Sequence, residues 1–126
     1  MANSIALVVE HVFAGIAVSD YHASLRWYES LFGRPPDVVV RDDLESMWQI
    51  REGAWVYIVL DGERAGKSLV AVLVPDLQKH LAMLSARGMA VPEMDVAPGL
   101  YRKAVLTDRD GNTVTLGENL SSSGGS

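Results

Sequence analysis

The chain has 126 residues, no cysteine, 16 acidic residues against 11 Lys and Arg, and a formal net charge of −5. That length makes one compact domain, or two half-size units around a shared core, and a hydrophobic share of 48% is ample to build it. The acidic balance and the scatter of basic residues exclude a nucleic-acid surface, which needs clustered Lys and Arg. The lack of Cys excludes disulfides, thiolate metal ligands and a cysteine nucleophile, and it suits a reducing cytoplasm.

Residues 5–9 are apolar but have no basic flank or small-residue cleavage site. Glu10 and His11 interrupt them, so they read as an extra or extended strand and not as a membrane span. A strand over Val12–Val18 follows, and then Ser19 or Asp20 caps a helix by accepting an orphan backbone N–H. Leu25, Tyr28, Leu31 and Phe32 recur at three- and four-residue steps on that helix. Gly33 stops it and Pro35-Pro36 block its continuation. Strands are expected at about 37–41, 45–50 and 54–60.

A polar join at 61–67 leads into the second half. Residues 69–74 form a strand, Asp76 caps a helix with Leu77, Leu81 and Leu84 on its apolar face, and Gly88 ends it. A weak edge strand is expected at 91–96, with Pro92 at its start. Tyr101–Thr107 and residues 113–118 pair across the turn Asp108-Arg-Asp-Gly-Asn112. The Ser/Gly-rich end, 121–126, reads as a disordered tail. No linker divides the chain, so residues 1–120 read as a single domain. Val18-Ser-Asp20 and Val74-Pro-Asp76 mark the same point in two βαβββ units, at about 12–60 and 68–118, spaced by about 56 residues.

Strand alternation sorts the side chains. Ala14, Ile16 and Val18, like Val70, Val72 and Val74, belong under the helices, with Val114 and Leu116. Phe13, Leu69, Thr113 and Thr115 then face the hollow side. Counting from Gly53 as from Gly111, Tyr57 takes the place of Thr115. The aromatic residues Phe13, Trp48, Trp55 and Tyr57 fall on strands expected to line that hollow, with Tyr101 near its rim. Such a cup suits a flat or apolar organic ligand. Gln49, Arg51, Arg102 and Lys103 lie near the mouth, and Arg102 joins the ligand-contacting set. Trp27 and Tyr28 are assigned to packing or a dimer surface. Gly66-Lys67-Ser68 lacks the upstream Gly of a phosphate loop and leads into a strand.

Val18-Ser-Asp20, Ser24-Leu-Arg-Trp-Tyr28 with Leu31-Phe-Gly33, Val74-Pro-Asp76 and Thr107-Asp-Arg-Asp-Gly-Asn112 together resemble the vicinal oxygen chelate superfamily. That group contains glyoxalase I, extradiol dioxygenases and bleomycin-resistance proteins. The resemblance implies an α+β fold: two tandem βαβββ units forming an open, curled mixed sheet, a partial barrel with its helices outside. It implies a homodimer, with units paired within or between chains.

The resemblance places the superfamily's metal ligands at four positions, here Phe13, Tyr57, Leu69 and Thr115. Phe and Leu cannot coordinate, Thr is weak, and Tyr must first lose a proton of pKa near 10. The expectation is therefore a protein with no metal or other cofactor and no catalytic residue. It would sequester a small organic ligand, such as an antibiotic, in the cytoplasm, with neither nucleic acid nor membrane as partner. Its ligand-binding residues would be Phe13, Trp48, Trp55, Tyr57, Leu69, Tyr101, Arg102 and Thr115. The alternative is a metal-dependent lyase, isomerase or dioxygenase, for which His11 would have to serve as one ligand. A metal-free enzyme using Tyr57 or His11 as acid or base is a third possibility.

Overall fold

Branched aliphatic residues at alternate positions open each half of the chain, and each set lies beneath a helix. The computed structural model describes residues 6–121. In β1 (Val12–Val18) the helix-facing residues Ile16 and Val18 are fully buried, and in β5 (Leu69–Leu73) the equivalent Val70 and Val72 pack against the same core. The helices α1 (Tyr21–Phe32) and α2 (Leu77–Ala86) start alike. Asp20 accepts from the Ala23 N–H at 3.1 Å and Asp76 from the Lys79 N–H at 3.2 Å. Gly33 ends α1 with φ 77°, a left-handed geometry that costs glycine least.

The remaining strands are β2 (Val38–Arg41), β3 (Glu45–Arg51), β4 (Ala54–Leu60), β6 (Asp95–Ala97), β7 (Tyr101–Thr107) and β8 (Thr113–Asn119). They form two four-stranded mixed sheets, ordered β1-β4-β3-β2 and β5-β8-β7-β6. β1 runs parallel to β4 and β5 parallel to β8, while the other pairs are antiparallel. The fold is thus α+β, two tandem βαβββ units with no closed barrel. Among the described residues, no helix is long and apolar enough to cross a membrane.

Two expected strands differ. Residues 6–9 form no strand, and Leu7 and Val8 stand exposed, because among the described residues no segment pairs with them; residue 5 lies outside the described residues. The edge strand starts only at Asp95, since Met89, Val91 and Met94 turn their side chains into the core and Pro92 lacks a ladder donor. The tail at 122–126 also lies outside the described residues.

One hydrophobic cluster spans both units, joining Tyr28, Leu31 and Trp48 to Leu84, Leu106 and Leu116. Each such buried aliphatic side chain stabilises by about 1.5–3 kcal/mol. A buried polar clamp fixes the units to each other. Asn112, fully buried, donates through Nδ2 to the Ala17 carbonyl of β1 at 2.8 Å and to Asp108 Oδ2 at 2.9 Å. Its Oδ1 accepts from the N–H groups of Gly66 (3.0 Å) and Ser68 (2.9 Å). Asp108 Oδ2 also accepts from the Tyr28 hydroxyl at 2.7 Å, and Oδ1 accepts from the Asp110 and Asn112 N–H groups. Asp110 in turn accepts from the Ser19 N–H and hydroxyl. On the opposite side, Arg87 Nη1 donates to the Ser30 and Leu31 carbonyls at the end of α1, where a cation meets the negative pole of the helix.

Asn112→Ala should cost about 3 kcal/mol, since it strands two backbone donors and one acceptor away from water; urea denaturation reads this directly. Tyr28 gives a second expectation. Burial, then its hydrogen bond to Asp108 and the charges of Asp108 and Asp110, push its hydroxyl well above the ordinary tyrosine range. The unfolded chain ionises Tyr28 near pH 10 and the folded chain does not. The stabilisation is therefore full below about pH 10 and declines above it, where the unfolded state releases a proton that the native state keeps. Tyr28→Phe should remove that part of the alkaline decline in urea midpoint.

Candidate functional site

The alternation that buries one side of each sheet leaves a second, helix-free side. In the first sheet it carries Phe13, Gly15 and Ala17 from β1, and these lie beside Trp55, Tyr57 and Val59 of β4. Met47 and Gln49 of β3 continue the row beside Tyr57 and Trp55. Phe13 and Trp55 stack, with ring centroids 5.8 Å apart and planes at 17°. Phe13 remains half exposed, so this pair presents aromatic surface and does not fill a core. Tyr57 lies across Gly15: a Cβ built there would meet the Tyr57 Cζ and hydroxyl oxygen at 2.5 Å. Glycine at this position is what lets the ring cross β1. Tyr57 and Gly15 border a hollow of about 230 Å³ with Lys67 and Ser68 at its edge.

In the second sheet the same side carries Leu69, Ala71 and Leu73 of β5, next to Thr113, Thr115 and Gly117 of β8. Lys103 and Val105 of β7 pair with Gly117 and Thr115. Tyr101, Thr115, Leu73 and Lys103 border a cleft of about 410 Å³, and the Lys103 ammonium lies 5.5 Å from the Tyr101 ring centre, within cation–π reach. Ser68 Oγ, 3.5 Å from the Gly15 carbonyl, ties the edges of the two sheets together. Leu69 and Leu73 are 85% and 74% exposed.

Phe13, Trp55, Tyr57, Leu69, Tyr101 and Thr115 therefore share the helix-free side, as alternation predicts. Trp48 does not. It pairs with Val56, lies fully buried against Phe32 (5.1 Å between ring centres) and Tyr28 (6.3 Å), and donates to the Arg34 carbonyl at 3.0 Å. The antiparallel register puts Met47 and Gln49, not Trp48, beside the exposed rings. Arg102 stands between two sides. It borders the Tyr101 cleft, but pairs with Val96 on the side opposite Tyr101, and its guanidinium sits 3.7 Å from Glu118. That carboxylate caps α2 by accepting from the Leu77 N–H at 2.9 Å. Met47 and Gln49, the latter expected only near the mouth, were missed as wall residues, as were Val105 and, likewise expected only near the mouth, Lys103, whereas Leu73 lies on the side that alternation gives it. Counting both strands outward from the Gly53 turn finds the first two, and the Gly111 turn finds Val105.

The metal question turns on donor chemistry. Tyr57 and Thr115 hold equivalent places, opposite Gly15 and Ala71 in matching parallel ladders. With Phe13 and Leu69 they make a set with two hydrocarbon members, which does not fit a divalent ion. His11 accepts from the Trp55 indole N–H through Nδ1 at 3.0 Å, which occupies that lone pair and puts the proton on Nε2. His22 and His80 lie on the helices, His22 beside Asp43 at 3.0 Å. Among the described residues, no group of three His, Cys, Asp or Glu side chains is placed to hold an ion.

Two βαβββ units with this register define a class, and comparison with known proteins names it. The chain belongs to the Glyoxalase/Bleomycin resistance protein/Dioxygenase superfamily, whose family model matches residues 8–116. A glyoxalase / bleomycin resistance protein from Catenulispora acidiphila is 36% identical, with TM-score 0.81, over 86% of this chain and 96% of that one. Two more distant structures share the fold. A bleomycin-binding protein in complex with bleomycin has 16% identity and TM-score 0.69 over 88% of this chain and 99% of its own. A lactoylglutathione lyase from Agrobacterium tumefaciens has 14% identity and TM-score 0.70 over 92% and 96%. No curated protein is a significant match.

Two substitutions separate the faces. Gly15→Ala should displace the Tyr57 ring, visible as shifted ring resonances, while stability changes by only about 1–3 kcal/mol because the obstructing atoms are the far end of a side chain. Trp48→Ala should cost about 3–5 kcal/mol in denaturation, as removal of a core aromatic does.

Proposed function

We propose that this protein binds a small organic molecule on the helix-free side of its sheets, without a metal, and acts by sequestration. The observation that carries the reading is the stacked, half-exposed Phe13–Trp55 pair beside Tyr57, where four ligand positions of the superfamily hold side chains unsuited to an ion. Rings held rigidly in this way offer stacking and apolar burial to a flat ligand at about 25 cal/mol per Å² before the association cost. Leu69 and Thr115 supply the apolar and hydroxyl-bearing parts of the second wall, with Tyr101 and Lys103 at its rim. An antibiotic is the favoured ligand class, because a bleomycin-binding protein shares the fold. The absence of cysteine fits a cytoplasmic site of action.

The functional form in this proposal is a homodimer. Leu69, Leu73 and Phe13 are too exposed for an isolated chain to leave in water as a connected apolar surface. A second copy covering them would complete a cup from two chains.

Bleomycin is the first probe. Titration should quench tryptophan fluorescence, and Trp55→Ala should weaken binding by more than about 1 kcal/mol, roughly fivefold. Titrations of parent and variant that superimpose would overturn the aromatic wall as the site. Protein purified without chelator should hold only substoichiometric Ni, Zn, Fe or Mn; a stoichiometric ion would overturn the metal-free reading. Sedimentation should show a dimer that Leu69→Glu dissociates.

A further inference from the structure

The two units are built to one pattern but joined differently on their two sides. The repeat is exact enough to compare residue with residue. The helix caps Asp20 and Asp76 correspond, so Tyr28 of α1 corresponds to Leu84 of α2. Tyr57 and Thr115 correspond by strand register, as do Met47 and Val105. The turn Ile50-Arg-Glu-Gly-Ala54 therefore corresponds to Asp108-Arg-Asp-Gly-Asn112, and its glycines, Gly53 and Gly111, both have positive φ.

On one side Asp108, Asn112 and Tyr28 fill the junction with hydrogen-bonded side chains. On the other the same places hold Ile50, Ala54 and Leu84, which are apolar and in the case of Ala54 much smaller. The result is a cleft of about 540 Å³ between the end of α1, the β3–β4 turn, β5 and α2. It lies toward the helices, apart from the Phe13–Trp55 pair. Its walls are apolar, from Phe32, Val74, Met83 and Leu84 among others, and no Asp or Glu lines it. The polar side chains around it are all basic: Arg51, His80 and Arg87.

Arg87 is committed to the α1 carbonyls. Among the described residues, the Arg51 side chain has no hydrogen bond or ion pair, and the His80 ring uses only Nδ1, 2.9 Å from the Asp76 carbonyl oxygen. A cleft walled by hydrocarbon and rimmed by basic groups alone, on a chain of net charge −5, is selective for one kind of guest. Its volume falls in the range that holds small organic ligands.

We infer that this cleft is a second binding site, for an amphipathic organic carboxylate: the apolar body enters between Phe32, Met83 and Leu84, and the carboxylate meets Arg51 and, in the doubly protonated ring, the Nε2–H of His80. The site stands independently of the proposal for the aromatic wall.

The experiment is an amide-resonance titration of the whole ¹⁵N-labelled chain with decanoate, with decanol as the uncharged counterpart. Decanoate should move the resonances of residues 50–54, 72–74 and 80–87. Arg51→Gln combined with His80→Gln should weaken it by about threefold or more, the scale of a partly screened charge contact. Ala54→Met, which grows into the cleft, should abolish the response; if that variant fails to fold, the Arg51/His80 comparison still decides. Four results would overturn the inference: no shifts up to millimolar decanoate, shifts confined to the Phe13–Tyr57 side, equal affinity for decanol, or the same residues shifting with protein concentration alone. The last would place a second copy of the chain in the cleft instead.

Discussion

Everything in this molecule hangs from the side chain of Asn112. It has four hydrogen-bonding partners in a site closed to water, and they come from three parts of the chain: β1, the join between the units, and its own turn. A buried amide stabilises only when each of its donors and acceptors is matched, because an unmatched one costs about 1–3 kcal/mol. The arrangement therefore tolerates one relative placement of the two units and penalises others. Asp108 extends the same constraint to α1 through Tyr28, so the helix, the turn and the parallel strand are fixed as one body.

That constraint decides which surfaces are left open. With both helices and the inner side of both sheets committed to one core, the helix-free side is left as an extended apolar surface. Glycine at position 15 then has a consequence beyond flexibility. Because no Cβ projects there, the Tyr57 ring crosses β1, and its neighbours Phe13 and Trp55 stack beside it. A hydrophobic effect that has no direction is thereby given a shaped surface. The cost of such a surface is that Leu69 and Leu73 stay in water unless something covers them.

Much of this architecture was legible in the residues. β4 and β7 were readable to their ends, because Gly53 and Thr107-Asp108 punctuate uninterrupted alternation. The Asp76 cap followed from side-chain chemistry alone, while for α1 that chemistry left Ser19 and Asp20 open and the structure has Asp20. Trp48 was misplaced because aromatic type was weighed above register: a Trp on a strand suits either side, and only pairing with Val56 reveals that it faces α1. Arg102 does border the Tyr101 cleft, but nothing local says that it also faces Glu118, which is itself occupied in capping α2. The clamp lies in a recognisable motif, Thr107-Asp-Arg-Asp-Gly-Asn112, yet its physical role is hidden in the sequence, because nothing local says that Asn112 will meet the carbonyl of Ala17 across 95 positions of chain.

The contrast between the two junctions explains why an internal repeat need not be symmetric in function. Two identical polar clamps would lock the units twice, and each would add a buried network whose desolvation must be fully offset by its hydrogen bonds. One suffices to set the geometry. Once it is set, the equivalent turn is released from that duty and can carry Ile50 and Ala54 in place of an aspartate and an asparagine. Arg87, reaching the end of α1, keeps the second junction from opening without filling it. The same economy operates on the helix-free side, where Tyr57 and Thr115 occupy equivalent places with different chemistry. One wall of the hollow is aromatic and the other hydroxyl-bearing and aliphatic. Divergence between repeats, and not the fold they share, is what gives this chain two unlike surfaces on which binding can be built.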